Sequence, residues 1–385
     1  MSTTGTVTPL TAVNYDDSLA SEAVPSLFEG AAAGPDARQA WLERFAREVY
    51  GEMPGEPDAI AIARFPLAGE DAERVAITLR VADRQLTVDA ALWLPAQRSG
   101  ALPIILGLDF LGPVGTLFGD SFPIDPGARI PRSSGGRLSD SQRGITAHRW
   151  PVKLLTDAGY AVLTSCYGSW VPDDENEWQA RGLWPLLAPQ AEPGKTLPGA
   201  ITLWSWAIRR LVDVAERLPE VDAQRVAIGG HSRLGKAALL AAAHDTRIKA
   251  ALVNNSGCLG ASLTSRDVGE TVEELRARFP HWVPAEPQPA PASAAPLDQH
   301  HLLAAVAPRR LYVASASEDV WCDPKGEYLA LQGASAMWPG VAMPPLQSVW
   351  QEGADFAAGD LGWHLRPGPH DIRPYDWRRF LRFLG

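Results

Sequence analysis

Short apolar runs alternate with helix-forming stretches along most of the chain, and this alternation predicts its architecture. Apolar runs bounded by glycine, proline or polar residues are typical of buried strands. They predict strands at 102–109, 160–166, 225–228, 248–254, 310–315 and 362–365. Two further runs, 74–81 and 85–94, are separated only by the polar link Ala82-Asp83-Arg84, which predicts an antiparallel hairpin.

Helix-forming sequence fills most of the intervals between these strands. Helical periodicity and helix propensity predict helices at 36–50, 147–157, 198–218, 234–243 and 375–384. Strands that alternate with helices form a mainly parallel, doubly wound sheet with helices on both faces, so the predicted fold class is α/β. Two stretches, the Gly/Pro/Ser-rich 111–144 and the proline-rich 279–296, are predicted to be loops or a cap, and long loops in compact domains are usually functional.

Length and composition limit the possible classes of protein. With 385 residues, of which 46% are hydrophobic, the chain can form one large domain over 1–385. We expect an N-terminal arm over about residues 1–35 and loop insertions near 111–144 and 279–300. The formal net charge of −10 argues against nucleic acid as a partner, and no apolar run is long enough to span a membrane.

Cysteine usage and the first residues predict a cellular compartment. Cys166, Cys258 and Cys322 are odd in number and far apart, which is typical of a reduced cytoplasmic protein without a disulfide framework. Residues 1–14 have neither the basic nor the apolar region of a signal peptide, so a cytoplasmic location is expected. A secreted protein whose leader had been removed would look the same.

The most informative motif lies between the predicted strand 225–228 and the predicted helix 234–243. It is Gly230-His231-Ser232-Arg233-Leu234-Gly235, one residue longer than the usual nucleophile elbow. Such an elbow exposes a serine hydroxyl at a helix N-terminus, where developing negative charge is favoured. The alternative is an ordinary strand–helix turn that happens to contain a serine.

Residues further along the chain favour catalysis by Ser232. A serine needs a base, and His370, which follows the last predicted strand, is the best candidate among eight histidines. Asp319 is the preferred acid, with Glu318 second, and either could instead be a solvated turn carboxylate. The order Ser, Asp/Glu, His is that of an α/β-hydrolase, a three-layer α/β sandwich.

Other titratable residues are weaker candidates for the triad. His231 is expected to point away from Ser232 and to serve as a packing residue, and Asp371 cannot easily reach the His370 ring. His364 lies within a predicted strand, and His281, His300 and His301 lie in the predicted cap region. No cluster of His, Cys or Asp has metal-ligand spacing, and no glycine-rich nucleotide motif follows a strand, so neither metal nor cofactor is expected.

From about residue 15 to the end, the chain resembles the glucuronoyl esterases, α/β-hydrolases that cleave esters of glucuronic acid. The most specific similarity is Ser232-Arg233-Leu234-Gly235-Lys236, which matches the Ser-Arg-x-Gly-Lys motif of that family. Supporting segments are 149–152, 160–167, 254–258, 279–282, 323–327 and 367–371. The fold and the activity that this resemblance implies agree with the order of the predicted triad.

The resemblance also implies roles for residues around Ser232. Arg233 would direct its guanidinium at the oxyanion, Lys236 and Glu270 would bind sugar hydroxyls, and Trp321 would lie against the sugar ring. Structural roles are the alternative: Arg233 paired on the helix surface, Glu270 as a helix N-terminal carboxylate and Trp321 as a packing aromatic.

The chain also departs from the pattern of that family. Asn255 stands where many members have the triad glutamate, so Asp319 would have to supply the charge. Arg278 stands where a glutamine often lines the sugar site, and the loop 110–132 lacks the family's Asn-Phe-Gly-Gly pattern.

Three functions follow from this pattern. The first is a serine carboxylic-ester hydrolase that cleaves 4-O-methyl-glucuronoyl esters through an acyl-enzyme, its partner being a small-molecule or carbohydrate ester. The second is an intracellular serine hydrolase or acyltransferase acting on another ester, lactone or thioester. The third is a binding protein that has kept the fold without the catalysis.

Overall fold

The computed structural model describes residues 35–189, 193–266, 268–288, 290 and 294–385. Within this part of the chain ten strands form one sheet. Their bounds are β1 Ala59–Pro66, β2 Glu73–Val81, β3 Arg84–Trp93, β4 Leu102–Asp109, β5 Ala161–Cys166, β6 Val221–His231, β7 Ile248–Asn254, β8 Arg310–Ala316, β9 Asp355–Ala358 and β10 Leu361–Arg366. Their order is β1-β2-β3-β5-β4-β6-β7-β8-β10-β9.

The centre of the sheet is parallel and both edges are antiparallel. Strands β5, β4, β6, β7, β8 and β10 pair in parallel. The predicted hairpin is confirmed, because β2 and β3 pair antiparallel with Val81 opposite Arg84. The carboxyl ends of β6, β7, β8 and β10 therefore meet at one edge of the sheet, where α/β proteins place their functional groups.

Helices cover both faces of this sheet. They are α1 Pro35–Phe45, α2 Pro113–Thr116, α3 Val152–Asp157, α4 Tyr167–Trp170, α5 Leu183–Leu187, α6 Ala200–Ala215, α7 Arg233–His244, α8 Val272–Arg278, α9 Gln299–Ala304, α10 Pro324–Ala334, α11 Leu346–Val349 and α12 Pro374–Leu384. Alternate residues of β4 join two separate apolar cores: Ile104 and Leu106 pack with α6 and α7, whereas Ile105 packs with α3 and α12. The predicted three-layer α/β-hydrolase architecture is confirmed.

Several predicted elements have different bounds in the structure. The predicted helix 36–50 is an α-helix to Phe45 followed by the π-helical turn Ala46–Tyr50. The predicted helix 147–157 begins only at Val152, because Pro151 disfavours helical geometry in the residue before it. The predicted N-terminal arm lies, except for residue 35, outside the described residues.

The two predicted loop regions contain some regular structure. Within 111–144 there is only α2 and two 3-10 turns, Arg132–Ser134 and Asp140–Gln142. The described part of 279–300 is irregular until α9 begins at Gln299. None of the helices described is both long and apolar enough to cross a membrane.

Candidate active site

Ser232 lies at the point where β6 turns into α7. Its φ of 59° and ψ of −129° are strained for a non-glycine residue, as expected at a nucleophile elbow. The turn is tight because a Cβ on Gly230 would lie 2.1 Å from the Leu234 carbonyl oxygen. The Ser232 N–H donates to the Asn254 carbonyl (2.9 Å), which fixes the elbow to the end of β7. The strand–turn–helix predicted around Ser232 is therefore present.

His370 and Asp319 lie next to each other at the same edge of the sheet. His370 Nδ1 is 2.5 Å from Asp319 Oδ2, and the Asp319 side chain is 2% exposed while that of His370 is 38% exposed. The His370 ring also packs against His231, the residue before Ser232, with 4.5 Å between ring centroids. Asp319 thus orients the His370 ring and leaves its Nε2 free of this contact, as the predicted base requires. Glu318, the second candidate, is exposed, and the structure brings Asp319 instead to the His370 ring.

Asn255 supports the acid directly. Its Nδ2 donates to Asp319 Oδ2 at 2.6 Å, and Cys322 Sγ donates to the Asn255 carbonyl at 3.2 Å. Burial alone raises the pKa of Asp319, but the bonds from His370 and Asn255 outweigh burial and hold this pKa below its ordinary value. An amide therefore lies against the acid at the position where the resemblance implies a glutamate.

A buried arginine holds the turn that carries His370. Arg366, at the end of β10, donates to the carbonyls of Pro367 (2.8 Å), Pro369 (2.8 Å) and Asp371 (2.9 Å). The Asp371 carboxylate contacts His148 and two arginines, and so, as predicted, is not the partner of His370. Sequence reasoning missed Arg366, since nothing in its local sequence distinguishes it from a surface arginine.

His231 is a packing residue, as predicted, but its contact with His370 was not foreseen. Its Nδ1 lies 2.6 Å from Asn254 Oδ1, while Asn254 Nδ2 donates to the Ala314 carbonyl. This arrangement assigns the proton of the neutral imidazole to Nδ1. Burial, reinforced by the nearby His370, lowers the pKa of His231 well below its ordinary value, so this ring stays neutral beside the base.

Arg233 extends from the start of α7 into an aromatic enclosure and is not an exposed surface pair. Its guanidinium binds the Asp173 carboxylate and lies 4.4 Å from the Trp282 ring centroid, 5.2 Å from that of Phe279 and 5.5 Å from that of Phe110. The side chain is 13% exposed. Cation–π contacts of this kind fix both the position and the orientation of a guanidinium.

Lys236 lies in a buried network of hydrogen bonds. Its ammonium is buried and donates to the carbonyls of Ser256 (2.8 Å) and Cys258, with Glu270 Oε2 at 3.5 Å. Its three N–H donors therefore have partners within the protein, and its contact with sugar hydroxyls stays a prediction. Glu270 is also nearly buried, immediately before the N-cap residue of α8.

The other residues predicted to bind a sugar lie close to one another. The Glu270 N–H donates to the Trp321 carbonyl at 2.9 Å. The exposed Arg278 guanidinium lies 5.0 Å from the Trp321 ring centroid. The structure thus brings Glu270, Trp321 and Arg278 to one place, and their contact with a sugar stays a prediction.

Donor atoms of Asp319, Cys322 and His370 lie within 4.8 Å of one another, a grouping that linear spacing does not reveal. Cys322 Sγ is 3.6 Å from His370 Nδ1, the same nitrogen that contacts Asp319. Because Asp319 and His370 are already joined by a hydrogen bond, the arrangement is that of an acid–base pair with a thiol beside it.

Comparison with known proteins agrees with this geometry. The family model described as glucuronyl esterase, fungi, matches residues 192–342. The carbohydrate esterase MZ0003 from an unknown prokaryotic organism is 33% identical over 88% of this chain and 81% of its own length. A glucuronoyl esterase from Solibacter usitatus has a TM-score of 0.80 and 32% identity, over 94% of this chain and 96% of that one. A CE15 esterase from a marine bacterial metagenome, described as promiscuous, has a TM-score of 0.76 and 29% identity, with 90% of both chains covered.

Proposed function

The chain belongs to the glucuronoyl esterases of carbohydrate esterase family 15, and on that basis we propose that it hydrolyses esters of 4-O-methyl-glucuronic acid with Ser232 as its nucleophile. The chain is an esterase by its family. Its proposed substrate class comes from its relatives, which include 4-O-methyl-glucuronoyl methylesterases of fungi such as Cerrena unicolor. The compartment in which it acts stays a prediction.

The proposed reaction uses the residues at the elbow in sequence. Ser232 attacks the ester carbonyl while His370 Nε2 takes its proton, and Asp319 stabilises the imidazolium that forms. The Arg233 N–H at the start of α7, together with the Arg233 guanidinium, stabilises the oxyanion. His370 then protonates the leaving alcohol and later activates the water that hydrolyses the acyl-enzyme. One observation carries this proposal: the His370–Asp319 pair lies against the residue preceding a strained serine at a helix N-terminus.

Hydrolysis of methyl or benzyl glucuronate by the wild type and by Ser232→Ala tests the proposal. We expect kcat for the variant to fall by about four to six orders of magnitude with the unfolding temperature nearly unchanged, because the nucleophile is lost and the buried core is untouched. Ser348→Ala, an exposed serine on α11, is the matched control and should keep wild-type activity. Undiminished turnover by Ser232→Ala would rule out this mechanism.

Two observations support a second candidate, the hydrolysis or transfer of another acyl group from an ester, lactone or thioester. The exposed Arg278 stacks on Trp321 at the rim of the site, and the relative from a marine metagenome is described as promiscuous. A short-chain acyl ester assayed in parallel separates the two candidates. Serine-dependent cleavage of that ester, without cleavage of glucuronate esters, would favour the second.

A further inference from the structure

Asp173 lies outside the predicted triad, yet its buried carboxylate accepts hydrogen bonds from more side chains than the carboxylate of Asp319 does. It follows α4, and its side chain is 2% exposed. Oδ1 accepts from His281 Nε2 (2.9 Å) and from Trp282 Nε1 (2.9 Å), both in the cap segment. Oδ2 accepts from the Tyr167 hydroxyl (2.5 Å) and from Arg233. One oxygen therefore holds the cap, and the other holds the arginine next to the nucleophile.

Arg233 depends on this carboxylate for its position. An arginine side chain has several freely rotating bonds, and at the edge of a cleft it would sample many rotamers. Here Asp173 fixes one terminal nitrogen, while the rings of Phe279 and Trp282 confine the guanidinium plane. Trp282 itself is anchored by Asp173 and is stacked on Phe279 with 3.8 Å between centroids. Both constraints on Arg233 therefore converge on Asp173.

We propose that Asp173 is a positioning residue that holds the Arg233 guanidinium in place for oxyanion stabilisation and couples it to the cap segment 279–283. The inference rests on the proposed function, in which Arg233 stabilises the oxyanion. It goes beyond that function because it assigns catalytic consequence to a residue outside the triad, through its contacts with Arg233 and the cap segment. It predicts that the cap segment, although it has little regular structure, affects the chemistry at Ser232.

A carboxylate is required at this position by the types of donor around it. Although burial raises the pKa of Asp173, Arg233 and the bonds from His281 and Tyr167 hold it well below its ordinary value, so both oxygens stay acceptors. An asparagine would offer one acceptor and one N–H₂ group. Whichever way that amide turned, its N–H₂ would face either Trp282 or Arg233, and neither side chain can accept a hydrogen bond.

The test compares Asp173→Asn with wild type on a glucuronate ester. We expect kcat to fall about 100-fold, as when an oxyanion donor is removed, with KM changing less than about threefold. Asp298→Asn is the matched control, because Asp298 is also a buried carboxylate with several donors, from Thr264, Ser265 and Gln299. Asp298→Asn should lower the unfolding temperature without this selective loss of kcat. Equal kcat losses in the two variants would overturn the proposal.

A double-mutant cycle separates positioning from general loss of structure. With Arg233 already replaced by Met, Asp173→Asn should lower kcat by less than about threefold further, since the group that it positions is gone. Losses that multiply fully in the double variant would contradict the proposal. If Asp173→Asn does not fold, Trp282→Phe serves instead. It keeps a ring over Arg233 and removes one anchor of Oδ1, and we expect a kcat about tenfold lower. An unchanged kcat for this variant would overturn the proposal.

Labelling of Ser232 by a fluorophosphonate distinguishes failure of this proposal from failure of the proposed function. The reagent reacts with an activated serine and develops charge on a phosphoryl oxygen, whatever the natural substrate is. If the wild type cleaves no glucuronate ester, the proposed substrate is wrong, and the labelling rates of the same variants still decide the role of Asp173. A labelling rate unaffected by Asp173→Asn would refute that role.

Discussion

At the scale of single residues, the acid of the proposed triad depends on a neutral neighbour. Asp319 is buried, and burial by itself would favour its protonated form. The amide of Asn255 and the ring of His370 together reverse that tendency. A second carboxylate in the place of Asn255 would instead raise the pKa of the pair by repulsion. The amide is therefore compatible with a single acid at Asp319.

Replacement of Asn255 by leucine tests this dependence through the free energy of unfolding. A carboxyl whose pKa is lowered in the folded state stabilises the protein above its unfolded pKa, and that stability is lost as the pH falls through the folded value. Without the amide donor, Asn255→Leu should lose about 1.5 kcal/mol at pH 7, and this loss should shrink steadily as the pH is lowered below the ordinary pKa of an aspartate, measured by denaturant unfolding.

Asn255 has a φ of 43°, so leucine adds backbone strain, but that strain does not vary with pH. The pH-dependent part of the difference therefore reports the hydrogen bond to Asp319. In an Asp319→Asn background the same substitution should show no dependence on pH. A dependence that persisted there would assign the effect to another carboxyl group.

At the scale of elements, the elbow is defined by close backbone approach as much as by its serine. Gly230 faces the Leu234 carbonyl and Gly235 lies against Ser256, with 3.0 Å from an added Cβ to that side chain. Because these two glycines have no side chain, α7 can begin immediately after β6, with Ser232 held between them in its strained conformation. Both were recognisable in the sequence, because glycine is the residue that permits such contacts.

Gly230→Ala should therefore damage the elbow itself. Its Cβ would meet backbone, which cannot move without shifting α7, so we expect about 3 kcal/mol of destabilisation and at least a tenfold lower kcat. Thermal unfolding and ester hydrolysis measure the two effects. Gly55→Ala is the control, since a Cβ there has no atom within 4 Å. Wild-type stability and kcat in Gly230→Ala would show that the packing argument is wrong.

The two strands of the described sheet that the sequence missed, β1 and β9, share one physical property. β4 and β7 are buried on both faces, and their continuous apolar runs predicted their bounds correctly. β1 and β9 are antiparallel edge strands in which exposed residues alternate with half-buried ones, even though residues 59–63 of β1 are all apolar. Their pairing is determined by a neighbouring strand and not by their own composition.

At the scale of the whole molecule, the residues predicted for catalysis and those that support them differ in how they can be found. Ser232, Asp319 and His370 each follow a strand, and their order along the chain can be read from the amino-acid sequence. Asp173 and Arg366 act on partners that only the folded chain brings close, for Asp173 across 60 residues to Arg233. Sequence reasoning could therefore propose the triad, but it could not find the residues that hold the triad and Arg233 in place.

The last helix of the chain, α12, carries another residue that holds part of the site in place. Asp376 on α12 is fully buried, accepts from His364 Nε2 at 2.7 Å and pairs with Arg366 at 3.3 Å. Arg366 in turn binds the carbonyls of the turn that carries His370. The packing of α12 against the sheet is thus connected to the position of His370, the proposed base.

Asp376→Asn should consequently reduce both stability and catalysis. It leaves the buried Arg366 without a counter-charge, which costs about 3 kcal/mol in denaturant unfolding, and it loosens the His370 turn, which lowers kcat. Asp355→Asn is the matched control, because Asp355 pairs with Arg379 of the same helix at the surface and should contribute below about 1 kcal/mol. Faster amide exchange at 367–371 in Asp376→Asn alone would confirm the connection. Loss of stability with unchanged exchange and kcat would show that α12 supports the fold without acting on the base.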